Sequence, residues 1–183
     1  IRMYIDKSGT KANKGGFAVG GLSPGKGGNE DYFNITADTT AEIVANESRI
    51  MWYPKKSAFL AGEIHVGSAD SVGTNSTALG YRSISMGEYS QAFGYQSMAL
   101  GDYSTAIGKN ARADSANSFA FGNGTKALNA NSFAIGQMSE ASGIGSYAFG
   151  YAGLDSAGVQ IGDNTQATGN YSYAFGSGAI AEG

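Results

Sequence analysis

A five-residue phrase, Ser-x-Ala followed by a large apolar residue and glycine, recurs along the last two-thirds of the chain. It reads Ser76-Thr77-Ala78-Leu79-Gly80, Ser90-Gln91-Ala92-Phe93-Gly94 and Ser104-Thr105-Ala106-Ile107-Gly108. It returns as Ser118-Phe119-Ala120-Phe121-Gly122, Ser132-Phe133-Ala134-Ile135-Gly136 and Ser146-Tyr147-Ala148-Phe149-Gly150. A degenerate copy, Gly158-Val159-Gln160-Ile161-Gly162, precedes the last one, Ser172-Tyr173-Ala174-Phe175-Gly176. Starting from Gly67, the phrase glycines are spaced by thirteen, then five times fourteen, then twelve and fourteen residues. A short fixed period makes each unit one rung of a stack rather than part of a globular core.

Each unit holds a second, weaker phrase, such as Ser83-Ile84-Ser85-Met86-Gly87 or Ser97-Met98-Ala99-Leu100-Gly101. Two short phrases per unit, each closed by glycine, read as two short strands and two tight turns. Fourteen residues then complete one coil of a flattened β-solenoid. Side chains alternate across a strand, so Ser76 and Ala78 share one face and Thr77 and Leu79 the other. The column before the glycine is Leu79, Phe93, Ile107, Phe121, Ile135, Phe149, Ile161 and Phe175. Every member is large and apolar, and the column is expected to be buried. The turn glycines are Gly80, Gly94, Gly108, Gly122, Gly136, Gly150, Gly162 and Gly176.

One chain buries little this way. Each rung offers about one large apolar residue, at roughly 25 cal/mol per Å², against an ordering cost of roughly 1–2 kcal/mol per residue. Further burial between copies of the chain is therefore expected, with one face of the phrase covered by its own coil and the other by a neighbour. Which face is which stays open at this stage.

Residues 1–63 differ. They carry eight basic and seven acidic side chains, against four and eight in residues 64–183. Strands are expected at Arg2–Ile5, Phe17–Gly20, Tyr32–Thr36, Ala41–Val44, Arg49–Tyr53 and Ala58–Ala61, with loops between them. This part reads as a smaller N-terminal β module or cap, which an open stack needs at its end rung. The expected division is thus 1–63 and 64–183. A chain that opens at Ile1 without a signal-peptide pattern and stops one residue past a repeat-like phrase reads as a piece of a longer protein.

At the Ser-x-Ala-(Leu/Ile/Phe)-Gly phrases, residues 64–183 resemble the YadA-like head of trimeric autotransporter adhesins. Asn75-Ser76-Thr77-Ala78-Leu79-Gly80 and Asn131-Ser132-Phe133-Ala134-Ile135-Gly136 follow that family's Asn-Ser-x-Ala-Ile-Gly core, and Asn117 to Gly122 follows it apart from Phe121. The resemblance implies an all-β fold, a left-handed parallel β-roll of fourteen-residue coils wound as a homotrimer. It also implies display at the tip of a stalk on a Gram-negative outer surface, with adhesion to host matrix or cell-surface proteins. Departures are the Phe rungs, tyrosine in place of asparagine at Tyr89, Tyr103 and Tyr171, and the short rung around Ile161.

Little in the chain points to catalysis. The chain has no cysteine and one histidine, His65, which leaves no thiolate chemistry and no triad within one chain. Three copies of His65 on a trimer axis are the remaining route to a metal, and a junction histidine is the simpler reading. Glu88, Asp102, Asp114, Glu140 and Asp155 are scattered by rung, where a glycosidase pair needs a cleft. Gly20-Gly21, Gly25 and Gly27-Gly28 lack the Gly-Lys-Ser/Thr of a phosphate loop, and the repeat lacks the calcium-roll pattern. No cofactor is expected. No basic run suggests nucleic acid or an anionic membrane. Position 77 and its equivalents carry Thr, Gln, Phe and Tyr, which is no ice-binding threonine ladder. Tyr81, Tyr89, Tyr95, Tyr103 and Tyr151 read either as adhesive contacts or as rung-to-rung stacks that hold the roll. The leading expectation is a non-enzymatic adhesin head; the rival is a fibre segment without a ligand of its own.

Overall fold

The computed structural model describes residues 16–20, 31–36, 47–64 and 69–183. Among the described residues the chain is all-β apart from two three-residue 3-10 turns. The strands β1 (Gly16–Gly20), β2 (Asp31–Thr36), β3 (Glu47–Tyr53) and β4 (Ala58–Ile64) lead into the repeat, whose first long strand is β5 (Thr77–Tyr81) and first short strand β6 (Ile84–Ser85). Long and short strands then alternate to the end, from Gln91–Tyr95 and Met98–Ala99 to Tyr173–Phe175 and Ile180–Ala181. Among the described residues the long strands, with β1 to β3, form one eleven-stranded sheet, and the short strands form a seven-stranded one. Within the repeat each strand pairs parallel with its equivalent in the next coil, Thr77 on Gln91 and Gln91 on Thr105. The structure is therefore the parallel β-solenoid that the period predicts, about eight coils long.

Each coil turns at two corners, and both need a left-handed backbone. At one corner stand Asn75, Tyr89, Tyr103, Asn117, Asn131, Gly145 and Tyr171; at the other, Arg82, Gln96, Asn110, Gly124, Met138 and Gly178. Their φ values run from 51° to 66°. Asparagine tolerates this region best among residues with a Cβ, which accounts for Asn in the repeat phrase. Tyrosine there costs about 1–2 kcal/mol. Tyr89 and Tyr103 offset it by stacking, with ring centroids 5.2 Å apart and planes 5° apart.

The interior is small. Ala92, Ala106, Ala120, Ala134 and Ala148 of the long strands and Ala99, Ala113, Ala127, Ala141 and Ala167 of the short strands are fully buried. The serines that open the phrases from Ser76 to Ser146 are buried as well. In several of them the hydroxyl donates to the carbonyl three residues back, Ser90 to Gly87 at 2.7 Å and Ser146 to Gly143 at 2.7 Å. Tyr53, Leu60 and Val72 are buried at the first coils, and from Ser83 onward no large side chain lies between the two sheets. The column expected to be buried is thus turned outward in the single chain. Leu79, Phe93, Ile107, Ile135 and Phe149 are half-buried, while Phe121 is 47% and Phe175 64% exposed. This corrects the expectation as far as one chain is concerned: its own coil covers the Ser/Ala face, not the apolar one.

The turn glycines hold the rungs together. An added Cβ on Gly108, at φ +131°, would stand 2.2 Å from the Gly122 carbonyl oxygen, and the same clash recurs along the column. Only glycine lets adjacent backbones stack there.

Two expectations change. The phrase around Ile161 is not a rung. Tyr147 pairs directly with Tyr173 and Phe149 with Phe175, so the coil from Gly150 to Gly176 carries a twelve-residue excursion. Within it Leu154 bridges Gln160, and the Asp155 carboxylate accepts from the Ala157 and Val159 amides. Ile161 is 72% exposed and Gly162 sits against Gly153, outside both columns. The glycine count could not separate a trimmed coil from an inserted loop. At the other end, β4 pairs parallel with β5, Leu60 on Ala78 and Gly62 on Gly80. The first rung is therefore Ala58–Ile64, and the expected boundary at 63/64 falls inside it. β3 lies antiparallel on the other edge of β4. The strands expected at Arg2–Ile5 and Ala41–Val44, and the start of the repeat at His65-Val66-Gly67, lie outside the described residues.

Two outcomes follow for stability. Gly108→Ala should cost on the order of 3 kcal/mol, whereas Gly176→Ala, which meets nothing within 4 Å, should cost only about 1 kcal/mol of backbone strain; equal melting temperatures for the two variants would contradict the stacking role. Deleting residues 152–163 joins Tyr151 to Asn164-Thr165 and restores the fourteen-residue period, so circular dichroism should report an intact roll. Loss of the β signal would instead make the excursion part of the framework.

Candidate interaction surface

Strand alternation assembles the outward face of the long sheet from two columns. The first is Phe59, Thr77, Gln91, Thr105, Phe119, Phe133, Tyr147 and Tyr173; the second is Leu79 to Phe149 and then Phe175. Parallel in-register pairing puts like residues on like. Phe133 stacks on Tyr147 at 5.0 Å, Tyr147 on Tyr173 at 4.8 Å and Phe149 on Phe175 at 5.1 Å, all within 4° of parallel. With Ile161 outside the column, Phe149 and Phe175 are neighbours and the alternation of ring and aliphatic ends there. Tyr173 and Phe175 are exposed, and Trp52, Ile50 and Phe59 are partly exposed beside the first rung. The whole makes one continuous apolar face along the roll. Monomeric soluble proteins rarely leave such a face open.

The two edges of the roll differ in charge. Arg82, Lys109, Arg112 and Lys126, all the cations of residues 69–183, lie at or next to the corner that contains Arg82. Arg82 Nε donates to Glu63 at 2.8 Å, Arg112 Nε to Asp114 at 2.6 Å and Lys126 Nζ to Glu140 at 3.2 Å. The Glu63 hydrogen bond, aided by Tyr81, raises the Arg82 guanidinium above its ordinary value, so it stays cationic at any physiological pH. Lys109 lies 6.0 Å from the Tyr95 ring centroid, and Tyr95 stacks on Tyr81 at 4.8 Å. These exposed pairs are screened by solvent and contribute little to stability. A shallow hollow of about 390 Å³ opens beside them, with Ile84 and Met98 as its floor and Arg82, Gln96, Asn110 and Arg112 around it. The opposite edge carries Glu88, Tyr89, Asp102 and Tyr103, all exposed.

The remaining sequence candidates do not converge. Glu88 and Asp102 stand on one edge, Asp114 and Glu140 are paired on the other, and Asp155 organises the excursion. Four of the five tyrosines singled out stack in pairs, Tyr81 with Tyr95 and Tyr89 with Tyr103, which favours the structural reading; Tyr151 is 62% exposed. Among the described residues no cluster of three His, Cys, Asp or Glu side chains could hold a metal, and no helix is long and apolar enough to cross a membrane. His65 and the glycine-rich segment 21–30 lie outside the described residues. What sequence reasoning missed is the hollow and the charge contrast between edges. The signal was present in the position of each charge within the fourteen-residue unit.

No curated protein matches the chain. The YadA head domain repeat, taken two copies at a time, matches overlapping windows from 71–97 through 127–152, and again at 161–183. These windows begin and end within the coils seen in the structure and together cover more than half of the chain. With the in-register Ser-x-Ala-apolar-Gly rungs, they show that the chain belongs to the YadA head domain repeat family.

Proposed function

We propose that this chain is the head of a trimeric, non-enzymatic adhesin, displayed on a Gram-negative outer surface, whose three copies bind host matrix or cell-surface proteins. The observation that carries the reading is the apolar face of the long sheet, left half-open by a roll whose own interior, from Ser83 onward, takes only small residues such as alanine, serine and threonine. Each further Å² of apolar surface removed from water contributes roughly 25 cal/mol. Three such faces turned toward one axis supply the burial that a single thin roll lacks. Binding is then multivalent: repeated, individually weak contacts summed by avidity. Membership of the repeat family supports the reading.

The test separates assembly from adhesion. Ile135→Asp puts a carboxylate in the middle of the apolar face and should convert the assembly to monomers or unfolded chain, seen by light scattering on elution. The unaltered head should be retained by at least one immobilised matrix protein or cell type, and Ile135→Asp should lose that retention. A head that assembles yet is retained by no member of a broad panel would favour a structural fibre segment instead.

A further inference from the structure

The geometry points to a knob-and-socket contact between neighbouring copies: the stacked Tyr89–Tyr103 pair of one chain fills the Arg82/Arg112 hollow of the next. The inference rests on the homotrimer reading and goes beyond it by assigning the edges that meet and the residues that pair.

The knob is unusual for its place. Both tyrosines occupy left-handed corners, φ 55° and 57°, where the other coils have asparagine or glycine apart from Tyr171. Each pays backbone strain there, yet the rings are 49% and 59% exposed. Their mutual stacking leaves the outer edges of both rings uncovered. Glu88 and Asp102 flank them and are tied together, the Glu88 amide donating to Asp102 Oδ1 at 2.9 Å. The result is a rigid aromatic projection rimmed by two carboxylates.

The socket has the complementary chemistry. Its floor is aliphatic, Ile84 and Met98, and its rim holds two guanidinium groups and the amides of Gln96 and Asn110. Arg82 and Arg112 are each held by an intrachain carboxylate through Nε, which fixes the guanidinium planes while their terminal N–H groups remain as donors. A hollow of about 390 Å³ lies at the small end of the range for ligand pockets, a size suited to side chains. Tyrosine and arginine are also the residue types that dominate contact energetics.

The levels match. Tyr89 and Tyr103 lead into the strands Gln91–Tyr95 and Thr105–Lys109, the second and third coils after β4. Arg82, Gln96 and Asn110 are the opposite corners of the same three coils, including β5. Rotation about an axis parallel to the stack, without translation, therefore brings acidic aromatic edge against cationic hollow at equal height. That is a heterologous contact of the kind that closes a ring.

Charge reversal tests it. Arg82→Glu with Arg112→Glu, or Glu88→Lys with Asp102→Lys, should each weaken assembly about tenfold or more, and the two sets combined in one chain should restore it. As a second readout the chain's lack of cysteine is useful: chains with Tyr103→Cys, co-refolded with chains carrying Met98→Cys, should yield a mixed disulfide between chains under mild oxidation. Trimers that form normally with either reversed set, or that give no mixed disulfide, would overturn the contact while leaving the trimer standing. A monomeric parent chain would instead overturn the trimer reading itself.

Discussion

Close stacking of one backbone coil on the next is the constraint on which everything else depends. Parallel strands lie about 4.8 Å apart, and here every coil keeps that spacing around both corners. The cost appears in residue identity. Carbonyl oxygens of one turn occupy the space that a Cβ would need on the previous one, so Gly80, Gly94, Gly108, Gly122 and Gly136 have no substitute. Corners of one left-handed residue hold the two sheets so close that, from Ser83 onward, only small residues such as alanine, serine and threonine lie between them. The hydroxyls of Ser90, Ser118, Ser132, Ser146 and Ser172 are accommodated because each turns back to a carbonyl three residues earlier.

From Ser83 onward a roll built this way holds no large apolar side chains inside itself. They stand on the outer face of the long sheet, stacked ring on ring by the parallel register. The face is long, flat and aromatic toward its C-terminal half. In-register stacks of this kind stiffen the coil, each aromatic pair adding about 0.5–1.5 kcal/mol beyond area alone, but they do not exclude water. In the proposed assembly that exclusion is the work of other copies of the chain, which links a local fact of steric fit to the multivalent adhesion we propose.

Much of this was legible in the sequence. The recurrence of Ser-x-Ala-apolar-Gly gave the period, the two strands per coil, the parallel pairing and the family. It did not give the inside and outside. Alternation sorts residues 76 and 78 from 77 and 79, yet only the sheet-to-sheet distance says that Ser76 and Ala78 go in, and the distance follows from corner geometry rather than from hydrophobicity. Hydrophobicity alone left open whether the column of Phe121 and Phe175 faced the chain's own coil or a neighbour. Ile161 misled for another reason: Val159-Gln160-Ile161-Gly162 imitates a rung, and only the direct pairing of Phe149 with Phe175 exposes it as an excursion. The first rung was hidden because Ala58-Phe59-Leu60-Ala61-Gly62 places leucine where the repeat has alanine. The hollow beside Arg82 needs corner geometry that no spacing rule supplies.

The claim at the centre of the account is that the outward apolar columns are covered by copies of the same chain. Sedimentation equilibrium of the unaltered 183-residue chain at micromolar concentration tests this most directly. The account predicts a single species of three times the 18.7 kDa chain mass. A folded, stable particle of one chain mass, with no tendency to associate as concentration rises, would contradict it.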